Sequence, residues 1–431
     1  GILGQAMNLM FTFFYVDKLG LGSDYYAVAM VVYGIWNAIN DPLMGILSDK
    51  TKSKMGRRKP YMLFGAIPFG LSLVLLFSPF ESVLSNQQAL FVYFVAAICL
   101  FDTFFTMTML AWSAALPEMY MDEKNRARVN AISQIMGVLG GIVVTLTIDG
   151  FIADYGFKTM AWIYAAIGAA TMILAAYGVR ERGDTTKKES LSLWQSFKVT
   201  FTNKAFIICV LSVLFLEVSK TICLANISFY SKYVLNSESG IMLIMGTVYI
   251  ASILSAFLIS YLCGRLGVRN TYIVSSGVFA LGALGFFLVP NMTTAMIAGA
   301  VAGVGLAGVM IMPNMLYAEI IDDDQVRTGV RRDGTYFGMN ALVMRLSIVI
   351  QGLLTAWIFR ISGYLSEPEL IARNVTQPES AIMGIRALMG LIPSIFAILS
   401  VIILFFYPID KERLGFVRQK MPEMNPQQKE A

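Results

Sequence analysis

The stretch E-M-Y-M-D-E-K-N-R at residues 118–126 recurs, at its charged positions, as E-I-I-D-D-D-Q-V-R at residues 319–327. Both stretches contain the pattern E-x3-D-x3-R, and both follow a long apolar run. Each charged residue of the first lies 201 positions before its counterpart. Internal repeats in an apolar chain are typical of membrane transporters that arose by duplication. The 431 residues are therefore predicted to form two related halves.

The composition requires a lipid environment. Hydrophobic residues make up 57% of the chain and charged residues only 14%, with a mean hydropathy of +0.66. Soluble domains carry about 25% charged residues. A water-soluble core could not enclose this much apolar surface, so lipid must be the solvent for much of the chain.

Patterns typical of enzymes are missing from the sequence. There is no histidine, which excludes histidine-based zinc sites, Ser-His-Asp catalysis and histidine proton relays. The four cysteines form no C-x-x-C pair, and no Walker A, G-x-S-x-G or dinucleotide-binding motif stands in a suitable context. We predict that the protein is not an enzyme and has no cofactor or metal apart from a coupling ion, Na⁺ or H⁺.

The apolar runs predict an all-α membrane protein with twelve transmembrane helices in two pseudo-symmetric six-helix bundles. The bundles occupy residues 1–179 and 205–407, with a cytosolic linker at 180–204 and a polar cytosolic tail at 408–431. The first run is short for a span of about 20 residues, which predicts a truncated first helix. The predicted spans are 1–16, 24–48, 60–80, 88–117, 129–152, 157–179, 205–230, 241–263, 271–290, 293–317, 334–360 and 383–407.

Lysine and arginine are unevenly distributed between the connections. Alternate connections and the tail hold 25 of the 33, whereas the opposite loops hold five, including Lys18, Lys232 and Arg360. The basic side of a membrane protein faces the cytosol. We therefore expect a multi-pass protein of the cell (inner) membrane with both ends in the cytosol.

Charged motifs cluster in the connections predicted to face the cytosol. Short basic turns and repeated acid–base patterns can exchange ion pairs as two bundles rock, although exposed pairs are individually weak. The alternative interpretation is that they are charges that only set the topology. The predicted gating residues are Asp49, Arg57, Arg58, Glu118, Asp122, Arg126, Glu319, Asp323 and Arg327.

Asp41 lies deep in the second predicted span, directly before Pro42. Asn37 is one turn earlier on the same helix face. Pro42 removes a backbone hydrogen bond, which can leave a carbonyl oxygen beside the carboxylate. Such an oxygen cluster suits Na⁺, and the carboxylate alone could carry a proton. The alternative is a kinked helix in which a neighbour caps Asp41.

Four further charged residues lie at membrane depth, where charges usually face a cavity or a partner. Asp102 is predicted either to couple transport or to line a pore. Glu217 and Lys220 share a helix face, as an ion pair or as a substrate or proton site. Arg345 needs an anion, which Asp41, Asp102 or a substrate group could supply. Near the polar clusters, Trp36 and Trp112 could stack on a sugar ring, and the alternative is that they pack or anchor the membrane interface as most membrane aromatics do.

Four further stretches are informative together: W-N-A-I-N-D-P-L-M-G at 36–45, S-D-K-T-K-S-K-M-G-R-R-K-P-Y at 48–61, A-W-S-A-A-L-P at 111–117 and R-R-D-G-T-Y-F-G at 331–338. They resemble the melibiose-permease-type glycoside–pentoside–hexuronide:cation symporters of the major facilitator superfamily. The resemblance covers nearly the whole chain. It implies sugar transport with Na⁺, H⁺ or Li⁺ by alternating access around a central site.

The residues that this resemblance assigns are only partly kept. Asp41 matches one acid of the second span, and Asn37 replaces the other. Thr108 stands where the melibiose type has a fourth-span acid, and Gln134 lies near the position of a sugar-binding arginine. Arg345 matches a lysine of the eleventh span. The resemblance therefore implies a thinner cation site and an altered sugar site.

The favoured function is a secondary active transporter, a cation-coupled symporter for a sugar or related polar solute. It would work as a monomer in the bilayer on a small-molecule substrate, without nucleic acid. The alternative within transport is a carrier of an amphiphilic or anionic solute such as a lysolipid, with Arg345 holding a phosphate. A polytopic membrane enzyme and a transport-inactive sensor are the alternatives from other classes.

Overall fold

The computed structural model describes residues 2–51, 53, 55–119, 123–179, 198–237, 239–288 and 291–424, and within these the regular structure is helical. Along the first part of the chain the helices are α1 Ile2–Thr12, α2 Ser23–Lys50, α3 Lys59–Leu76, α4 Glu81–Leu84, α5 Gln87–Met119 and α6 Glu123–Gly178. A wider π-helical segment, Phe13–Lys18, continues α1.

The second part of the chain is helical as well. Its other π-helical segment, Ala387–Leu391, joins two helices of the last predicted span. The helices are α7 Lys204–Tyr233, α8 Gly240–Leu266, α9 Val268–Leu288, α10 Met292–Thr328, α11 Asp333–Met344, α12 Leu346–Ser362, α13 Glu367–Arg373, α14 Glu379–Arg386, α15 Ile392–Phe405 and α16 Lys411–Met424.

The described helices confirm an all-α membrane protein. Nine helical stretches in the described ranges are long and apolar enough to cross a bilayer. Helix α6 covers two of the predicted spans. Gly156 separates them, with a φ of +76° that glycine adopts readily. The total of twelve spans remains a prediction.

The chain divides into two compact units. The first unit lies within Gly1–Thr186, Leu224–Gly246 and Gln351–Arg386, and the second within Lys187–Cys223, Thr247–Ile350 and Ala387–Ala431. Their boundary passes through α7, α8 and α12, so these units do not coincide with the two predicted bundles. The division into bundles around a linker at 180–204 stays a prediction.

Helix α8 presents an apolar outer surface. Ile250, Leu254 and Phe257 are 61%, 72% and 84% exposed, at a spacing that places them along one helix face. An exposed apolar stripe of this length would be a liability in water. We interpret it as a face that contacts lipid.

In the second unit, α9 and α10 pack at the distance that small residues allow. A Cβ atom on Gly282 would clash with the backbone of Ala302, and one on Gly305 would clash with the backbone of Phe279. Small residues let helices in lipid approach closely enough for van der Waals contact to stabilise them. The glycines of these runs therefore determine how closely the helices pack.

We predict that Gly282→Ala lowers the melting temperature of the purified protein, because the added methyl overpacks the α9–α10 contact at a cost of about 1–3 kcal/mol. Gly277→Ala is the matched control on the same helix, since a Cβ there meets no atom within 4 Å. Melting in detergent measures both. Equal melting temperatures for the two variants would contradict this account of the packing.

Candidate functional site

The polar site of the first unit lies between α2 and α5. Helix α2 runs without interruption through Pro42, which has no N–H to donate to the carbonyl of Ala38. Helix α5 is apolar but carries Asp102 and several threonines at the same depth. The two helices pack against each other, and this places their polar residues in contact.

Asp102 is almost completely enclosed, at 2% exposure. Asn37 donates its amide N–H to Oδ1 at 2.7 Å, and Asn40 donates to Oδ2 at 3.0 Å. The hydroxyl of Tyr33 donates to Oδ1 at 3.4 Å. A buried carboxylate is costly unless hydrogen bonds replace its hydration. Neutral donors therefore hold Asp102 in place.

Asp41 has a different environment from Asp102. It is half-buried, and the hydroxyl of Thr106 donates to its Oδ1 at 2.9 Å. Asn37, which the sequence pairs with Asp41, instead uses its amide on Asp102. Asp41 on α2 thus contacts α5 through Thr106, whereas Asp102 on α5 contacts α2 through Asn37 and Asn40. A joint cation site of Asp41 and Asn37 remains a prediction.

Three other predicted residues of this region differ in how close they lie to the polar residues around Asp102. Thr108 is buried and donates to the carbonyls of Phe104 and Phe105 on its own helix. Trp36 donates its indole N–H to Thr103 at 3.1 Å, next to Asp102. Trp112 packs on an apolar cluster that includes Met62. Of the predicted aromatic residues, Trp36 is the one at the polar cluster.

In the second unit, Glu217 and Lys220 of α7 form an ion pair with 2.6 Å between Oε2 and Nζ. They line a cavity of about 190 Å³ with Asn314 and Asn340. Arg345 lies at the junction of α11 and α12, half-buried. Its predicted pairing with an acid of α2 or α5, or with a substrate group, remains a prediction.

The end of the first unit that is predicted to face away from the cytosol holds a second buried acid. Asp17 is 0% exposed and accepts from Lys232 at 2.7 Å and from the hydroxyls of Tyr233 and Tyr364. Lys18 and Lys232 both form ion pairs with Glu367. We call Asp17, Lys18, Lys232, Tyr233, Tyr364 and Glu367 the Asp17 cluster.

The second copy of the charged repeat is built around Asp323, which is also 0% exposed. Arg327 lies one turn later, with 2.8 Å between its Nε and Oδ2 of Asp323. Arg413, from the tail helix α16, donates to Oδ1 of Asp323 at 2.6 Å. Glu319 lines a cavity of about 740 Å³ beside Arg265 and Leu414. The tail thus forms a helix on this motif, which the sequence reading did not foresee.

The turn between α10 and α11 carries further ion pairs. Arg331 lies 2.8 Å from Asp322 and 2.9 Å from Asp333. Burial opposes its charge, but these two carboxylates outweigh burial and raise the pKa of Arg331 above its usual value. Arg332 pairs with Asp324 at 3.2 Å. These contacts hold the turn in a defined conformation.

The remaining predicted gating and substrate residues fall into two groups. Two of them are described: Arg57 is half-buried, and Arg58 is buried and donates to Ser48. Asp122 lies outside the described residues. So do the side chains of Asp49, Glu118, Arg126 and Gln134.

Sequence reasoning missed Asn40, Thr106 and Asp17 as site residues. Asn40 is three positions after Asn37, so helical spacing alone could have indicated it. Thr106 and Asp17 had no comparable signal, because their partners lie on other helices.

Known proteins resemble this chain in sequence and in fold. A model of the family described as MFS/sugar transport protein matches residues 1–411. The chain is 24% identical to the glucuronide carrier protein homolog of Escherichia coli (strain K12), over 95% of this chain and 90% of that protein. It is 24% identical to the isoprimeverose transporter of Lactiplantibacillus pentosus, over 97% of this chain and 90% of that protein.

Among solved structures, the fold is similar to that of the nucleoside transporter NupG. The TM-score is 0.63 at 16% identity, covering 94% of this chain and 95% of that chain. At this identity the likeness concerns the fold alone.

We predict that Arg413→Gln loosens α16, because Asp323 loses its contact from that helix. Hydrogen exchange of the amides of Lys411–Met424 should accelerate by about tenfold, equivalent to about 1.4 kcal/mol. Lys420→Gln removes the same charge from an exposed position of α16 and serves as control. Unchanged protection in Arg413→Gln would show that other contacts hold the helix.

Proposed function

The chain belongs to the MFS/sugar transport protein family, and we propose that it couples the movement of a sugar-type solute to that of a cation, Na⁺ or H⁺. Its family and its apolar helices make it a multi-pass membrane transporter and not an enzyme. The identities of the coupling ion and of the solute are the proposed part.

The observation that carries cation coupling is the unequal environment of two acids at membrane depth. Asp102 is enclosed by amide donors, whereas Asp41 is half-buried with a hydroxyl partner. The exposed part of the Asp41 carboxylate lets an ion reach it and leave again, whereas Asp102 is enclosed by its donors. Asp41 therefore suits reversible loading, and Asp102 suits a fixed role in positioning Asn37 and Asn40 on α2.

Asp41 would take the cation with two neighbouring oxygens. Thr106 Oγ1 lies 2.9 Å from the carboxylate, and the Ala38 carbonyl receives no hydrogen bond from Pro42. Hard cations prefer such oxygen ligands. The same carboxylate would hold a proton if H⁺ is the coupling ion. Loading would favour the state to which solute binds better.

A sugar-type solute is supported by the family and by the names of two relatives, a glucuronide carrier homolog and an isoprimeverose transporter. The cavity of the second unit supports it too, since Asn314 and Asn340 line it beside a neutralised ion pair. Amides and hydroxyls are the groups that fix a polar ligand in a pocket. An amphiphilic solute would need a larger apolar lining.

The Asp17 cluster supports alternating access. It joins the end of the α1 segment to the end of α7 and to α13, all within the first unit. Lys18 and Lys232 lie at helix ends that the charge distribution places away from the cytosol. In this proposal the cluster closes that side of the first unit and dissolves when solute enters from there.

The direct test is uptake into proteoliposomes under a Na⁺ gradient, a pH gradient or none, with a panel of labelled glycosides, pentosides and uronides. We expect concentrative uptake that needs one gradient. Asp41→Asn should reduce this uptake to the level of empty liposomes while leaving exchange of solute across the membrane, because the amide cannot load a proton and binds a cation weakly.

Asp102→Asn is the matched variant for this experiment. It should lower the melting temperature, since hydrogen bonds to a charged group contribute about 1.5–3 kcal/mol each. Whatever uptake remains should still depend on the gradient. If Asp41→Asn accumulated solute as well as wild type, the role of Asp41 would be wrong. If no carbohydrate were taken up under any gradient, sugar symport itself would be rejected.

We predict a second effect at the Asp17 cluster. Asp17→Asn weakens the contacts of Lys232, Tyr233 and Tyr364, so this side should open more often. Reaction of a cysteine introduced at Val16, which lies beside Asp17 and is 3% exposed, with an impermeant maleimide measures that opening. Asp24→Asn is the control, because Asp24 and Arg360 form an exposed pair at 75% and 69% exposure. Equal reaction rates in both variants would argue against a closing role.

A further inference from the structure

The cavity beside Glu217 and Lys220 has a composition that selects by charge. Glu217 and Lys220 are the charged residues of its lining, and they neutralise each other at 2.6 Å. Their side chains are 31% and 25% exposed, so both heads remain within reach of the cavity. The rest of the lining is polar without charge or apolar.

This charge balance has a consequence for the solute. An anion entering the cavity would meet an ammonium that is already paired and a carboxylate that repels it. At membrane depth an unbalanced charge is costly. Arg345 follows the lining residue Met344 in sequence but is not itself part of the lining. A molecule without net charge therefore enters this cavity at the lowest cost.

The hydrogen-bonding groups of the lining are mixed. Glu217 accepts and Lys220 donates. Asn340 keeps its amide N–H groups for a ligand, since its Oδ1 accepts from Tyr317 at 2.6 Å. Pro313 has no N–H for the carbonyl of Val309, and both residues line the cavity. Hydroxyl groups both donate and accept, so several hydroxyls on one molecule match this lining.

The volume of the cavity limits the size of the group that it can hold. Its volume of about 190 Å³ equals that of about six water molecules in the liquid. One sugar ring has a volume of this order, and because the cavity is partly open this limits the part of the solute that enters it and not the whole molecule. Four apolar side chains can cover the C–H face of such a ring: Val213, Leu216, Met310 and Met344.

From this lining we infer that the cavity is the subsite for a single uncharged sugar ring and that it discriminates against the corresponding uronate. The inference rests on the proposed function and deepens it, because it names the charge class of the solute. Glu217 sets the discrimination by neutralising Lys220. Removing the carboxylate alone turns the cavity into one that carries a positive charge.

The test is equilibrium binding to the purified full-length chain with matched pairs of methyl glycosides. Each pair, in the gluco and galacto series, differs only by a CH₂OH or a carboxylate at C5. Wild type should bind the neutral member of a pair at least about tenfold more tightly. Glu217→Gln should shift the ratio toward the uronate by about tenfold, and Glu217→Gln/Lys220→Gln should restore the neutral preference.

Arg373→Gln, an exposed change in α13, controls for charge removal elsewhere and should leave the ratio unchanged. Tighter binding of the uronate by wild type would overturn the inference, and so would an unchanged ratio in a folded Glu217→Gln protein. If that variant does not fold, the wild-type ratio decides.

Binding and uptake separate this inference from the proposed function. Binding of the neutral glycoside without gradient-driven uptake would reject symport and keep the subsite. Gradient-driven uptake of uronates in preference to neutral glycosides would support symport and reject the subsite for an uncharged sugar ring. No binding of any pair would reject both.

Discussion

Lipid offers no hydrogen bonds, so each polar side chain within the membrane must find its partner inside the protein. The cost of failing to do so is large enough to determine which helices touch. The contact between α2 and α5 is the clearest case, since the carboxylate of Asp102 takes its donors from the facing helix. Apolar contacts alone do not define the axial position of α2 against α5, whereas these hydrogen bonds do.

Three buried or half-buried acids meet this constraint in three ways. Asp102 uses neutral amides, Asp17 uses Lys232 with two tyrosine hydroxyls, and Glu217 uses a lysine of its own helix. The first arrangement uses two side-chain amides of one facing helix. The second depends on several segments remaining together. The third needs no neighbour, so it persists whatever the rest of the unit does.

The sequence predicted the class of fold well, because long apolar runs and the charge bias of connections are local signals. It also singled out Asp41, Asp102, Glu217 and Lys220 as candidates, since charges in apolar runs stand out. It paired Asn37 with Asp41, whereas the structure brings it to Asp102, because helical spacing defines a face but not the rotation of one helix against another. Asp17 and the docking of α16 depend on such long-range contacts too.

The ion pair of Glu217 and Lys220 has an electrical consequence. A charge moved across the whole membrane potential gains or loses about 2.3 kcal/mol per 100 mV. Both members of this pair lie on α7 three residues apart, so any displacement of that helix carries opposite charges together and does no net work against the field. An uncharged solute beside them adds nothing. The charges left to give a transport cycle its voltage sensitivity then include those of Asp102, Arg345 and Asp41 with the ion it loads, and the Glu217–Lys220 pair adds none.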